Sequence, residues 1–201
     1  MLNIVTFAGT RCQYRRLHQI AKLYLYAPSS GMFSCPLAMT DGAAAILTNQ
    51  VRNGSQQYEK ALGHLMSRDP RQFWTSGQWM TEKRGGSDVA NGTQTFAVHI
   101  EGNRYKLFGY KWFSSATDSD MALTLARIVG DEEDTAVSGT SGISMFYLET
   151  HLDGKEGRKH TNHLNNIEIV KLKNKLGTKQ LPTAELLLDG AEATLVSQPG
   201  G

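Results

Sequence analysis

The stretch FAVHIEGNRYKLFGYKWFSS, residues 96–115, decides the fold class. Apolar residues occupy every second position from Phe96 to Ile100, which is the period typical of a half-buried β-strand. Gly102-Asn103 then predicts a tight turn, and the run Arg104–Ser115 predicts a second strand that pairs back on the first. The segment therefore predicts a β-hairpin.

Further strand candidates follow the hairpin, and turn signals such as Gly177 and Asp189-Gly190 separate them. They are Ala122–Ile128, Ile143–Leu148, Ile167–Leu172 and Glu185–Leu188. Short strands in series, without helical patterns between them, favour an antiparallel barrel or sandwich. A parallel nucleotide-binding fold is disfavoured, because no G-x-G-x-x-G follows a strand. The charge-rich stretch Gly130–Gly142 predicts a solvated hairpin loop.

The chain before about Phe73 has the helical period of 3.6 instead. The apolar stripes are Leu17, Ile20, Ala21 and Tyr24 in a first helix, and Tyr58, Ala61, Leu62, Leu65 and Met66 in a third. Thr40 or Asp41 is expected to cap a second helix that runs through Val51. The sequence thus predicts an α+β chain: a short N-terminal helical segment (residues 1–72) and an antiparallel β domain (residues 73–201).

The composition of the chain excludes several classes of protein. The chain has 201 residues, 40% of them hydrophobic, and a net charge of +2. These values exclude disordered, collagen-like and coiled-coil chains and give no general attraction to nucleic acid. The longest apolar runs, such as Met121–Ala126, fall far short of the roughly 20 residues that span a membrane. The acid-free, Arg-rich start fits a mitochondrial transit peptide or an ordinary amphipathic helix, so the compartment stays open between mitochondrion and cytoplasm.

Metal and disulfide sites have little support in the sequence. Cys12 and Cys35 are the two cysteines, and no CxxC pair occurs. His160 and His163 lack a third ligand at a recognisable spacing, so no metal site is expected. The basic stretch from Lys171 to Lys175 predicts a half-exposed strand or, alternatively, a phosphate-binding patch.

The first segment that suggests chemistry is QWMTEKRGGSD, residues 78–88. Gly85-Gly86 lets the backbone approach a bulky ligand, and the Ser87 hydroxyl that follows can donate to a phosphate oxygen. Thr81 stands where a strand would end, so its hydroxyl can point into a pocket. The alternative is a plain glycine turn capped by Asp88.

The second such segment is YKWFSS, residues 110–115. In a regular strand Trp112 and Ser114 lie on one face and Phe113 lies on the other. An aromatic ring beside a hydroxyl suits a flat heteroaromatic ligand that accepts a hydrogen bond at a ring nitrogen. The alternative is a core tryptophan followed by a serine at the strand end.

Three motifs in order resemble the acyl-CoA dehydrogenase family. They are MTEKRGGSDVAN (80–91), GYKWFSSATDSDMALTLAR (109–127) and KLGTKQLPTAELLLDGAEATLV (175–196), with CPLAMTDGAAAIL (35–47) upstream. The TEKxGGSDV form, the second motif and the upstream segment resemble its AidB-like branch most. The resemblance covers roughly Leu17 to Gly200.

This resemblance implies a fold, a cofactor and a reaction. The family has an N-terminal helical domain, a middle β-barrel-like domain and a C-terminal helical bundle, and it uses FAD to dehydrogenate acyl-CoA thioesters. The positions that match its FAD contacts are Met80, Thr81, Gly86, Ser87, Trp112, Phe113 and Ser114. Trp112 would flank the flavin, Ser114 would bond near flavin N5, and Ser87 would also lie near the pantetheine and pyrophosphate of the acyl-CoA substrate.

The resemblance also implies what is missing. The family's general base is a carboxylate on the C-terminal bundle, and no carboxylate of this chain matches it. Glu82 matches a structural glutamate of the family. We therefore expect a truncated form that is inactive alone, from a protein that is a homo-oligomer at full length. The alternatives are a non-catalytic flavin- or acyl-binding fragment and an AidB-like flavoprotein associated with DNA damage, although the net charge of +2 argues against nucleic-acid binding by this segment.

Overall fold

The computed structural model describes residues 13–130, 139–152 and 164–199. Cys12, His160, His163 and most of the predicted loop Gly130–Gly142 lie outside these described residues. The chain forms two compact units. One contains the residues up to Gly77 together with Lys175–Leu181, and the other contains Gln78–Asn174 and the residues from Pro182 onward.

The first unit is helical, as predicted. Its helices are α1 (Arg15–Tyr26), α2 (Ser34–Arg52) and α3 (Glu59–Leu65), with 3₁₀ turns at Ala27–Ser29 and Gln56–Tyr58. The predicted stripe of the third helix is buried at Tyr58, Ala61 and Leu65. None of the described helices has both the length and the hydropathy needed to cross a bilayer.

The predicted start of the second helix is wrong. α2 begins at Ser34, so Thr40 and Asp41 lie inside it and cap nothing. Pro36 does not prevent this start, because proline is tolerated in a first helical turn, where backbone N–H groups have no partner within the helix. The Thr40 hydroxyl instead donates to Pro36 O at 2.7 Å and accepts from Ser76 N at 3.0 Å.

The amphipathic helix α1 packs through Leu23 and Tyr26, which lie against Leu37 of α2, and through one buried polar side chain. Gln19 is buried, and it donates to Asp41 of α2 at 2.9 Å. The predicted apolar stripe is exposed on this unit, with exposed fractions of 67% at Leu17, 56% at Ile20 and 77% at Tyr24. The stripe is therefore a helix face, as predicted, but it is not part of the core of this unit.

The second unit is a β-barrel-like sheet. Its strands are the second half of β1 (Ser76–Trp79) and the whole of β2 (Phe96–Glu101), β3 (Arg104–Ser115), β4 (Met121–Val129), β5 (Ile143–Glu149), β6 (Ile167–Leu172) and β7 (Thr183–Leu195). The order β4-β2-β3-β7-β5 closes because β5 also pairs with β4, while β1 pairs with β4 and β6 with β7. Among the described strands, β3 pairs antiparallel with β2 and β7, β5 with β4 and β7, and β6 with β7, whereas β2 and β4 are parallel; this mostly antiparallel sheet confirms the predicted fold class.

The long strand β7 holds the barrel together. One edge follows β3 from Thr183 to Thr194, and the other edge pairs with β6 between Ala184 and Leu188 and with β5 at Thr194 and Leu195. The side chains that fill the interior include Trp79, Leu107, Phe146, Leu148, Leu186 and Leu188. One short helix, α4 (Val89–Gly92), interrupts the strand series and was not predicted.

Candidate functional site

The two segments singled out in the sequence lie side by side. Trp112 N donates to Thr81 O at 2.9 Å, although the two residues belong to different motifs. The buried Trp79 indole N–H donates to Ser115 O at 3.1 Å, which ties the end of β1 to the end of β3. Met80 lies between these two links in the chain. The structure therefore brings the start of the first motif against the second motif.

Hydrogen bonds hold both ends of the glycine-rich loop between residues 82 and 95. The Glu82 carboxylate accepts from Gln94 N at 2.7 Å and from the Thr95 hydroxyl at 2.6 Å. The Arg127 guanidinium of β4 donates to Thr93 O at 2.9 Å and also to Ala90 O. These charge-assisted bonds hold the loop that carries Gly86 and Ser87 against the barrel.

A buried ion pair anchors this loop to β3. Lys111 Nζ lies 2.7 Å from Glu82 Oε1 and donates to Leu125 O at 2.8 Å. The side chains are 0% and 3% exposed, and burial lowers the pKa of Lys111 while the Glu82 carboxylate opposes that shift. The sequence carried a signal for this pair, which our reasoning missed. Lys111 shares the parity of the inward-facing Tyr105 and Leu107, and a lysine at such a position needs an acidic partner.

The glycines of the first motif have different roles. A Cβ on Gly92 would lie 2.0 Å from Gly85 Cα, so the two arms of the loop meet where only glycine fits. A Cβ on Gly86 would meet nothing within 4 Å, and both Gly86 and Ser87 are exposed. Asp88 accepts from Asn91 N at 3.1 Å, so it caps the short helix α4 that follows rather than the glycine turn of the alternative interpretation.

A β-bulge corrects the predicted strand parity. Lys111 pairs with Leu186 and Ser114 pairs with Ala184, so three steps along β3 match two along β7. The extra residue breaks the alternation on which the shared face of Trp112 and Ser114 was predicted. Lys111 and Ser114 are both fully buried, Trp112 is half-buried and Phe113 is 46% exposed.

The Ser114 hydroxyl is buried without a partner. Its side chain is 0% exposed, and Oγ has no hydrogen-bond partner among the described residues. A buried polar atom in this state is unfavourable by about 1–3 kcal/mol, so such atoms usually meet a ligand, an ion or water. Its neighbour Ser115 differs, because that hydroxyl lies 2.8 Å from Thr183 Oγ1. Ser114 thus fits a ligand that presents a hydrogen-bonding atom at the bulge.

The Trp112 ring lies among charged side chains. Lys173 Nζ is 3.2 Å from the ring centroid and Lys83 Nζ is 5.4 Å from it. Lys173 also lies 2.7 Å from Glu185 Oε1, and the Tyr110 hydroxyl donates to Glu185 Oε2 at 2.5 Å. The bonds from Lys173 and Tyr110 lower the pKa of Glu185. Sequence reasoning missed this cluster, because it assigned the basic stretch of residues 171–175 to a half-exposed strand or a phosphate-binding patch, whereas Lys173 follows the end of β6 at Leu172.

The structure therefore brings some of the predicted site residues together. Thr81 and Trp112 are bonded directly, and Ser114 lies two residues further along β3. Ser87 has no hydrogen bond to the Trp112–Ser114 segment within the described ranges, so a shared concave surface stays a prediction. Across the residues that the structure describes, no group of three His, Cys, Asp or Glu side chains is placed to hold a metal ion.

Comparisons with known proteins place the chain in a family. Residues 77–191 match the acyl-CoA dehydrogenase middle domain. Acyl-CoA dehydrogenase family member 11 of Caenorhabditis elegans is 56% identical over 187 residues, which cover 92% of this chain and 29% of that protein. The putative acyl-CoA dehydrogenase AidB of Escherichia coli is 30% identical, over 90% of this chain and 31% of its own length.

A solved structure agrees with these relatives. The crystal structure of C. elegans ACDH-11 in complex with C11-CoA superposes with a TM-score of 0.88 and 52% identity, covering 98% of this chain and 32% of that one. This chain therefore spans about a third of that chain's length. The middle-domain model matches, the second unit is the expected barrel, and the two motifs lie side by side. The chain therefore belongs to the acyl-CoA dehydrogenase family.

Proposed function

We propose that this chain is the flavin-binding part of a FAD-dependent acyl-CoA dehydrogenase that acts on an acyl-CoA thioester. The observation that carries the proposal is the buried, unpartnered Ser114 hydroxyl, two residues after Trp112, which is the point where the two motifs are bonded. The bound acyl-CoA of the C. elegans relative supports the substrate class. The AidB-like placement stays a prediction, because AidB is 30% identical and the C. elegans protein is 56% identical.

The residues of the chain would bind and orient the cofactor. The flavin supplies the hydride-accepting chemistry when it is bound. Ser114 Oγ–H would donate to a ring nitrogen of the flavin, which supplies the partner that the buried hydroxyl lacks. Trp112 would lie against the ring system, while Met80, Thr81 and Phe113 complete the contact. Gly86 and Ser87, on the exposed loop, would meet the phosphate-bearing part of the ligands.

The buried carboxylate of this loop, Glu82, is not free to act as a proton acceptor. Glu82 already accepts from Lys111, Gln94 N and Thr95, and its side chain is 3% exposed. A general base must reach the substrate proton with a free oxygen, about 3 Å away. Glu82 is therefore a structural group that supports the loop, and the base of the proposed reaction has to be supplied by residues other than Glu82.

The Ser114→Ala variant tests the proposed flavin contact. Ser114 Oγ has no partner within the described protein, so its removal should leave the melting temperature unchanged or raise it. FAD affinity, measured by quenching of flavin fluorescence, should fall about five- to tenfold, the value of one hydrogen bond of roughly 1 kcal/mol. Ser115→Ala is the matched control, because that hydroxyl bonds Thr183 and lies one position away.

Two results would contradict the proposal. Equal FAD affinity of the wild-type chain and Ser114→Ala would remove the hydroxyl from the site. A wild-type chain that binds no FAD at 100-fold excess would contradict the flavin assignment as a whole.

The second experiment concerns turnover. We expect residues 1–201 with excess FAD not to dehydrogenate acyl-CoA thioesters of any chain length in the presence of an artificial electron acceptor. The reason is that Glu82, the buried carboxylate of the loop that carries Gly86 and Ser87, already accepts from Lys111, Gln94 N and Thr95. Flavin-dependent turnover that survives Glu82→Gln would instead require another base within this chain. FAD binding without turnover is also what the alternative, a non-catalytic flavin-binding fragment, predicts.

A further inference from the structure

We propose that Lys173 is a positioning residue, whose ammonium group, anchored by Glu185, fixes the Trp112 ring for the flavin. This inference rests on the proposed function, and it assigns a role to a residue that matches none of the family's FAD contacts. Lys173 follows β6, at some 60 positions from Trp112 in the sequence, and both residues lie in the barrel unit.

The geometry of the ammonium group is the first argument. Lys173 Nζ lies 3.2 Å from the centroid of the Trp112 ring, well inside the roughly 6 Å over which a cation–π attraction acts. Trp112 also sits on the bulge of β3, where the regular ladder with β7 is interrupted. A side chain at such a place has fewer strand neighbours to hold its rotamer, so a direct contact on the ring has more effect.

The anchoring of Lys173 is the second argument. Its ammonium lies 2.7 Å from Glu185 Oε1, and the two side chains are only 14% and 13% exposed. The other carboxylate oxygen, Oε2, accepts from the Tyr110 hydroxyl at 2.5 Å. Lys173 N also donates to Thr183 O at 2.8 Å, which holds the backbone of the lysine on β7. The lysine is thus constrained at its backbone and at its charge.

The neighbouring lysines Lys83 and Lys171 do not make the close contact with the Trp112 ring that Lys173 makes. Lys83 Nζ is 5.4 Å from the same centroid and its side chain is exposed. Lys171 is exposed on β6 and stands opposite Glu185 in the β6–β7 ladder, where its charge lowers the pKa of that carboxylate, but it has no described ion pair and no described contact with the ring. A removed charge at Lys171 therefore changes the local electrostatic potential without touching the ring. This makes Lys171→Met the matched control for Lys173→Met.

Fluorine NMR of the chain labelled with 5-fluorotryptophan measures the position of the ring directly. The chain has three tryptophans, so it should give three resonances, and Trp112→Phe identifies one of them. We expect this resonance to shift and broaden in Lys173→Met, to return towards its wild-type position in Lys173→Arg, and to stay unchanged in Lys171→Met. Arginine restores the signal because a guanidinium also stacks on indole.

FAD titration of the same variants tests whether the positioning of the Trp112 ring matters for cofactor binding. Lys173→Met should weaken FAD binding about three- to tenfold, Lys173→Arg by less, and Lys171→Met not measurably. Glu185→Gln keeps both the lysine and the ring but weakens the contact that holds the ammonium group. We therefore expect smaller changes of the same kind in the Trp112 resonance and in FAD affinity. This variant carries the test if Lys173→Met does not fold.

Each outcome decides one claim. A Trp112 resonance that is unchanged in the folded Lys173 and Glu185 variants overturns the positioning role. A moved resonance with unchanged FAD affinity overturns its importance for the flavin and leaves the proposed function intact. Absence of FAD binding by the wild-type chain overturns the proposed function, and with it the flavin role of Lys173.

Discussion

Removal of one member of the buried Glu82–Lys111 pair should destabilise the barrel more than any surface substitution. In Lys111→Met the Glu82 carboxylate stays buried and keeps neutral donors only, from Gln94 N and Thr95. In Glu82→Gln the Lys111 ammonium stays buried with Leu125 O as its described acceptor, and the new amide N–H₂ group faces backbone donors. Each single change therefore leaves an uncompensated polar group in the interior.

The magnitude follows from the burial of the two groups. With exposed fractions of 0% and 3%, the pair is screened little by solvent. Breaking a pair of this kind costs about 3–5 kcal/mol, because the remaining charge keeps its desolvation penalty and loses its partner. The double variant Glu82→Gln/Lys111→Met removes both charges and keeps an acceptor for the loop N–H groups. We expect its loss to be well below the sum of the two single losses.

Urea unfolding followed by circular dichroism measures these losses. Lys106→Met, an exposed lysine on the same strand, is the control and should change the free energy of unfolding by less than about 0.5 kcal/mol. A loss below about 1 kcal/mol for Lys111→Met, or a double variant whose loss equals the sum of the singles, would refute the reasoning.

Three further outcomes follow from the site and the helical unit. Trp112→Ala should weaken FAD binding by roughly 1–3 kcal/mol in fluorescence titration, since it removes an aromatic surface, and unchanged affinity would count against the assignment. Gly92→Ala should lower the melting temperature by several degrees, because its Cβ would lie 2.0 Å from Gly85 Cα, whereas Gly86→Ala, with nothing within 4 Å, should not. Burial raises the pKa of Asp41, but the bonds from Arg16 and Gln19 outweigh it, and the net pKa lies below the usual 3.8. Asp41 therefore stabilises the fold above pH 3.8 and loses that contribution as pH falls through its lower folded-state pKa, so the melting-temperature gap to Asp41→Asn should shrink in acid; a gap that grows in acid would contradict this.

The elements with a strong period could be predicted from the sequence. Strict alternation located β2, and the Gly102-Asn103 turn located its antiparallel partner β3. β6 agrees with its predicted bounds, Ile167–Leu172. These elements follow local rules, because the side-chain period of a strand and the chemistry of a turn are properties of neighbouring residues.

The closure of the sheet could not be predicted in the same way. The parallel contact of β2 with β4 joins Phe96 to Arg127, and no local pattern encodes which distant strands pair. The start of α2 failed for a related reason. Thr40 resembles a cap in sequence, but its hydroxyl is used inside the helix and by Ser76 N from a distant segment. Tertiary contacts override local preference at such positions.

The candidate site shows why motif residues could be named while their geometry could not. The resemblance named Trp112 and Ser114, and the parity of a regular strand predicted that they share a face. The bulge between Lys111 and Ser114 removes that explanation, because both of these side chains turn inward three positions apart. The inward-facing Lys111 pairs with Glu82, whereas the inward-facing Ser114 has no described partner. The extra residue thus lets one strand segment carry both a charge that holds the loop and a buried hydroxyl without a described partner, on either side of the residue whose ring Lys173 contacts.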